Sequence, residues 1–220
     1  MIVQIYDVAS VDEALRVAGL KADHIGVVVG TDGLANETRP FKAKEIFMSL
    51  PHGKKGVAIA NSSDISEIRK IITESEPDII HLTSHLEEIL PEDLELLKKD
   101  FPSLEIMQTI PVIGEESVVA ALMYGAVADY LLLETKDPKT GQVGSTGETH
   151  DWELDKKIVQ SVSSKVISGG GLGPENVVRA IEQIRPYGVH SKTMTNKIGK
   201  REKDIIKVKM FVDRAKHVTL

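Results

Sequence analysis

The stretch 165–176, Lys-Val-Ile-Ser-Gly-Gly-Gly-Leu-Gly-Pro-Glu-Asn, contains the unit from which the rest of the chain is built. A short β-branched run breaks into three glycines, and Pro174 follows where a helix can begin, because its missing N–H costs nothing in a first turn. The reading is strand, glycine turn, helix. Glycine lets the backbone approach a ligand closely, and unpaired N–H groups at a helix start carry partial positive charge. Gly169, Gly170 and Gly171 are therefore candidate donors to an anion, most simply a phosphate. A turn that holds no ligand has the same signature, so the place of the turn in the whole chain has to decide.

Outward from that stretch the same unit recurs. Short apolar runs lie near 2–6, 24–29, 55–60, 78–83, 104–109, 128–134, 165–168 and 187–190, each followed by helical spacing over 11–19, 42–49, 64–75, 91–99, 115–124, 153–163, 174–184 and 201–216. Asp64, for example, can cap a helix whose Ile65, Ile68, Ile71 and Ile72 share one face. Asp151 and Trp152 read as a cap and a packing residue. Eight βα units in 220 residues predict one (β/α)₈ TIM barrel spanning 1–220, with a doubly wound open sheet as the alternative. The one long loop, 135–150, is rich in Gly and Thr, and long loops within compact domains are usually lids or binding loops.

Composition narrows the function classes. The net charge is −6 and no Lys/Arg run is interleaved with aromatic residues, which argues against a nucleic-acid surface. The Lys-Arg-Glu-Lys run at 200–203 reads as a solvated helix start. With no cysteine there is neither a disulfide nor thiol catalysis. No apolar run reaches the length of a membrane span and the first residues carry no basic leader, so no membrane association and a cytoplasmic location are expected. His81 and His190 end strands but lack a third ligand at metal-binding spacing, so no metal site is expected. No cofactor is expected either.

Several motifs carry a family resemblance: Leu-Leu-Leu-Glu-Thr-Lys (131–136), Gly-Ser-Thr-Gly-Glu-Thr-His-Asp-Trp (144–152), Gly-Gly-Leu-Gly-Pro-Glu-Asn-Val (170–177), Arg-Pro-Tyr-Gly-Val (185–189) and Lys-Met-Phe-Val (209–212). In order and spacing the chain resembles the phosphoribosylanthranilate isomerase family over essentially its whole length. That resemblance implies a (β/α)₈ barrel and an Amadori rearrangement of a phosphorylated aminoaldose to an aminoketose, a step of tryptophan biosynthesis. It also implies a phosphorylated sugar as the substrate. Barrels of this size often pair, which makes a homodimer an open expectation.

The departures from the family fall in the site. The family's first strand carries a cysteine that resembles a general base, and Tyr6 falls on that position; a neutral phenol is a poor base at pH 7. Asp7 is the candidate base in its place, yet side chains alternate along a strand, so Asp7 should point away from the barrel mouth if Tyr6 points in. Glu134 takes the place of the family's aspartate acid at the end of strand six. The last phosphate loop becomes His190-Ser191-Lys192-Thr193-Met194-Thr195-Asn196, which makes Ser191, Lys192 and Thr193 candidate phosphate contacts. His81 stands in the rebuilt fourth strand, and Arg39 is the loosely aligned counterpart of the arginine that binds the aromatic acid. Asp7, Glu134, Gly170 and Ser191 should all reach one end of the barrel. Burial among Leu131, Leu132 and Leu133 should raise the Glu134 pKa and keep it protonated as a general acid. Three readings stay open at this level: the tryptophan-pathway isomerase itself, a paralogue acting on another sugar phosphate, or a binder without catalysis. The changed first strand and eighth loop weigh towards the second over the first.

Overall fold

The computed structural model describes residues 1–30, 37–83 and 85–218. Eight parallel strands close in sequence order into a barrel: β1 (Ile2–Tyr6), β2 (His24–Val28), β3 (Lys55–Ala60), β4 (Ile79–Leu82), β5 (Glu105–Val112), β6 (Tyr130–Thr135), β7 (Lys165–Ser168) and β8 (Gly188–Ser191). Closure is direct, because β1 pairs with β8 as well as with β2. The open-sheet alternative is thereby excluded. The helices between and after the strands are α1 (Val11–Gly19), α2 (Pro40–Ser49), α3 (Ile65–Ser75), α4 (Pro91–Asp100), α5 (Glu115–Gly125), α6 (Trp152–Ser161), α7 (Val177–Ile184) and α8 (Ile205–His217). Among the described residues no helix is long and apolar enough to cross a membrane.

Strand alternation divides the core in two. Outward residues such as Ile5, Ile25, Ala58 and Leu131 pack under the helices, while Tyr6, Val28, Val57, Ile59, Ile79, Met107, Tyr130, Leu132 and Ile167 fill the barrel interior. Burying each large aliphatic side chain contributes ~1.5–3 kcal/mol. Gly26 of β2 is part of this fit. A Cβ there would lie 2.1 Å from Tyr6 Cδ1, so the missing side chain makes room for the inward tyrosine ring.

Capping sets the helix starts. Asp64 and Asp151 accept backbone N–H groups from Ser66 and Glu153, as their sequence positions predict, and Trp152 is buried. Two starts differ from the spacing. α7 begins at Val177 rather than Pro174, because residues 174–176 make a turn in which Gly173 O accepts from both Asn176 N and Val177 N. α8 begins at Ile205, where Asp204 accepts from Ile206 N and Lys207 N. The 200–203 run is therefore not a helix start, and it is not wholly solvated. Lys203 is 1% exposed, with Nζ donating to Lys192 O and Asn196 Oδ1.

Candidate active site

The carboxyl ends of the strands bring the chemistry-bearing side chains to one mouth. Tyr130, Leu132 and Glu134 alternate inward on β6, and Glu134, the last of them, is 8% exposed at the rim. It borders a cavity of about 320 Å³ lined also by Tyr6, Asn61, His81, Thr109, His190 and Lys192. Burial pushes the Glu134 carboxyl up to about 7, against the opposing pull of His150, the Gly170 N–H and Lys192. The acid is thus half protonated near neutral pH.

Each Glu134 oxygen faces a different wall. Oε2 accepts from Gly170 N at 3.1 Å, and Oε1 stands 3.5 Å from His190 Nε2. The His190 ring is buried, and that burial, with His81, Lys192 and Lys203 nearby, holds it well below the ordinary imidazole range, hence neutral. His81 is driven down to about 3 by burial and by Lys192; its Nε2 lies 2.7 Å from Thr109 Oγ1 and its buried Nδ1 has no partner. Tyr6 points into the mouth between these two rings, 4.5 Å from the His190 centroid and 5.5 Å from that of His81. Burial and the nearby Glu134 raise its phenol well above 10, so it does not supply the missing base.

Asp7 follows β1 at the same end of the barrel and lines a different cavity from Tyr6. It is buried, with Lys192 Nζ 3.7 Å from its Oδ2. Behind Lys192 it borders a separate cavity of about 750 Å³ between α1, the segment before α2 and the segment before α8. Arg39 lines that cavity too, not the mouth with Glu134. The structure therefore brings Glu134, His81 and Lys192 together and leaves Asp7 and Arg39 outside their cavity.

The glycine turn works through geometry rather than through a helix start. Gly169 N is already committed to Leu133 O, so it offers no free donor. Gly170 and Gly171 sit at φ +65° and +61°, in the left-handed region that favours glycine. Gly170 N is held by Glu134, and Gly171 N has no partner among the described residues. Ser191, Lys192, Thr193 and Met194 complete the walls of a pocket of about 10 Å³ over this turn, barely what one water molecule needs. The Glu134 carboxyl itself occupies the Gly170 N–H. Ser191 Oγ is engaged with Leu172 O.

Over the turn lies the loop 144–150, fastened by groups that the sequence reading did not single out. His150 Nε2 lies 2.6 Å from Asp155 Oδ1, Ser168 Oγ donates to Asp155 Oδ2 at 2.6 Å, and Thr135 Oγ1 lies 2.9 Å from His150 Nδ1. Asp155 is fully buried. Gln4 was missed as well, although its signal is visible in retrospect: it shares the inward face of β1 with Tyr6, two residues away. Among the described residues no group of His, Asp or Glu is arranged to hold a metal ion.

A family model described as N-(5'phosphoribosyl)anthranilate (PRA) isomerase matches residues 6–214. N-(5'-phosphoribosyl)anthranilate isomerase 2 of Methanosarcina mazei is 34% identical, covering 99% of this chain and 95% of that protein. The N-(5'-phosphoribosyl)anthranilate isomerase of Methanocella arvoryzae is 31% identical, with 97% of each covered. Among solved structures, phosphoribosyl anthranilate isomerase from Thermotoga maritima superposes with a TM-score of 0.82 at 26% identity, covering 99% of this chain and all of that one.

Proposed function

This chain belongs to the N-(5'-phosphoribosyl)anthranilate isomerase family, and we propose that it performs that family's reaction, the Amadori-type rearrangement of N-(5'-phosphoribosyl)anthranilate in tryptophan biosynthesis. The observation that carries the reading is Glu134, a buried carboxyl with a pKa of about 7 at the end of β6, between the glycine turn and the end of β8.

The chemistry follows from that placement. The substrate phosphate takes the Gly170 and Gly171 N–H groups, displaces the Glu134 carboxyl from Gly170 and adds Lys192 as a cationic partner. The released acid donates its proton to the furanose ring oxygen as the C1'–O bond breaks, and the electron pair stays on that oxygen. An iminium at C1' results. Removal of the C2' proton then forms the C1'=C2' enolamine as the iminium electrons return to nitrogen, and enol-to-ketone transfer of a proton to C1' completes the ketose. Tyr6 is too weak a base for the second step, and Asp7 lies outside the cavity. The Glu134 carboxylate left by the first step is the basic group beside the reacting carbons, so one residue serves as acid and then as base.

Purified protein assayed with N-(5'-phosphoribosyl)anthranilate, alongside rescue of a tryptophan auxotroph lacking its isomerase, tests the reading. Turnover with rescue is expected, with Asp7→Asn retaining kcat within about threefold and Glu134→Gln losing ~10²-fold or more. Absence of turnover on that substrate, with turnover on another aminoaldose phosphate, refutes the assigned substrate. Loss in Asp7→Asn equal to that in Glu134→Gln refutes the single-carboxylate mechanism.

A further inference from the structure

We propose that Gln4 is a positioning residue: its amide, wedged between two histidines inside the barrel, fixes the proton of His190 on Nε2 and so turns an N–H of that ring towards the Glu134 carboxyl. The proposal rests on the reading of Glu134 as the reacting acid. Ladder register sets the arrangement, because Gln4 on β1 is paired with His24 on β2 and with His190 on β8. All three side chains are buried. Gln4 Nε2 stands 3.3 Å from His190 Nδ1, and Gln4 Oε1 stands 3.2 Å from His24 Nδ1.

Donor and acceptor inventory does the rest. An amide nitrogen has only hydrogens to give, so His190 Nδ1 must present its lone pair and the ring proton must be on Nε2, the atom 3.5 Å from Glu134 Oε1. The amide itself is not free to turn over. Its nitrogen side also faces Met107 Sδ at 3.8 Å, a weak acceptor that rewards an N–H and offers nothing to a carbonyl oxygen. Tyr6, standing edge-on to the His190 ring, limits its rotation. The ionised Glu134 then has a donor towards each oxygen, Gly170 N–H on one side and His190 Nε2–H on the other, and once the substrate phosphate takes the Gly170 N–H it is the His190 donor that stays with the carboxylate. That second contact is long at 3.5 Å, and such contacts commonly tighten when substrate binds. Its use is in the interval between the two proton transfers, when the carboxylate is charged and buried.

The other groups facing this pair are accounted for. Glu134 also meets His150 from the loop after β6, Lys192 from the end of β8 and Tyr6 from β1. His190 also meets His81, Lys192, Lys203 and Tyr6. None of them touches His190 Nδ1, so none sets its tautomer in place of Gln4.

The experiment uses the full chain labelled with ¹⁵N-histidine, the His190 ring being assigned by its loss in His190→Gln. The nitrogen shifts of the wild type should show a neutral ring protonated on Nε2. Gln4→Glu, read above the pH at which the new carboxyl ionises so that it can only accept, should move the proton to Nδ1, and Gln4→Met, which offers no amide, should give a mixture. In Gln4→Met the Glu134 carboxyl should titrate at higher pH, read by its ¹³C shift. Its kcat should fall about tenfold with KM within about threefold, a fraction of the ~10²–10⁴ that acid–base catalysis supplies. A residue that only fills the core would lower the melting temperature and leave the tautomer and that titration unchanged, which would overturn the proposal. A wild-type His190 protonated on Nδ1 overturns it without any variant having to fold. The tautomer and carboxyl readings need no substrate, so a failed isomerase assay refutes the assigned reaction and leaves Gln4 still under test.

Discussion

Replacing Glu134 by Gln should stabilise the protein in alkaline solution while it removes activity, and the size of the gain follows from the acid's position. Glu134 is 8% exposed and its pKa is about 7, against 4.5 for the free side chain. The unfolded chain therefore releases this proton first. Between the two values the native state binds more protons than the unfolded one, so stability falls as pH rises through that interval, and the loss is complete above about pH 7. A shift of this size corresponds to roughly 3 kcal/mol against the wild type, of which roughly 2.5 kcal/mol develops between pH 5 and pH 8. Glutamine keeps the shape and carries no charge at either pH, so Glu134→Gln should gain stability over the wild type by about that amount across the interval, whatever constant offset the substitution adds. Urea denaturation of both proteins at the two pH values measures it, with the other buried titrating groups cancelling in the difference. A gap that stays flat from pH 5 to pH 8 would mean that the carboxyl is ionised in the native state well below neutrality, and the acid assignment would fall with it.

Two further substitutions test the phosphate end. Gly170→Ala places a side chain at φ +65° with its Cβ 2.4 Å from Thr135 Oγ1 and 2.5 Å from His150 Nδ1. We expect a loss of about 2–4 kcal/mol in stability and a raised KM, measured by thermal unfolding and steady-state kinetics, and a neutral outcome would show that the turn and loop 144–150 are not packed together. Asp155→Ala leaves His150 Nε2 and Ser168 Oγ buried without an acceptor, at a cost of about 2–4 kcal/mol. By releasing the loop it should raise KM for the phosphorylated substrate more than it lowers kcat.

The barrel was readable from the sequence because alternation of strand and helix is a periodic signal repeated eight times, and an error at one boundary leaves the count intact. The errors fell where a local hydrogen bond outweighed periodicity. Pro174 satisfies every local requirement for a first helical turn, yet Gly173 O takes two donors and delays α7 to Val177. Lys203 looks like a solvated charge among charges, but carbonyl and amide oxygens of the preceding segment draw it inside, where burial brings it down to about 7 despite Asp7 and Glu13. Only contacts made after folding distinguish such a lysine from its neighbours.

The site divides along the same line. That Glu134 would be buried with a raised pKa followed from three leucines beside it on β6. What no local rule supplies is which partners the neighbouring strands deliver. His190 becomes part of the acid's surroundings only because β8 closes onto β1 in a register that sets it beside Gln4, and both face inward under Tyr6. A tyrosine on the position of the family's cysteine reads, residue by residue, as the loss of a base. In the closed barrel the same ring holds an imidazole that β8 has carried in. Tyr6 and His190 thus form one packing unit across the β1–β8 closure, since the ring at the end of β1 limits the rotation of the imidazole that faces Glu134.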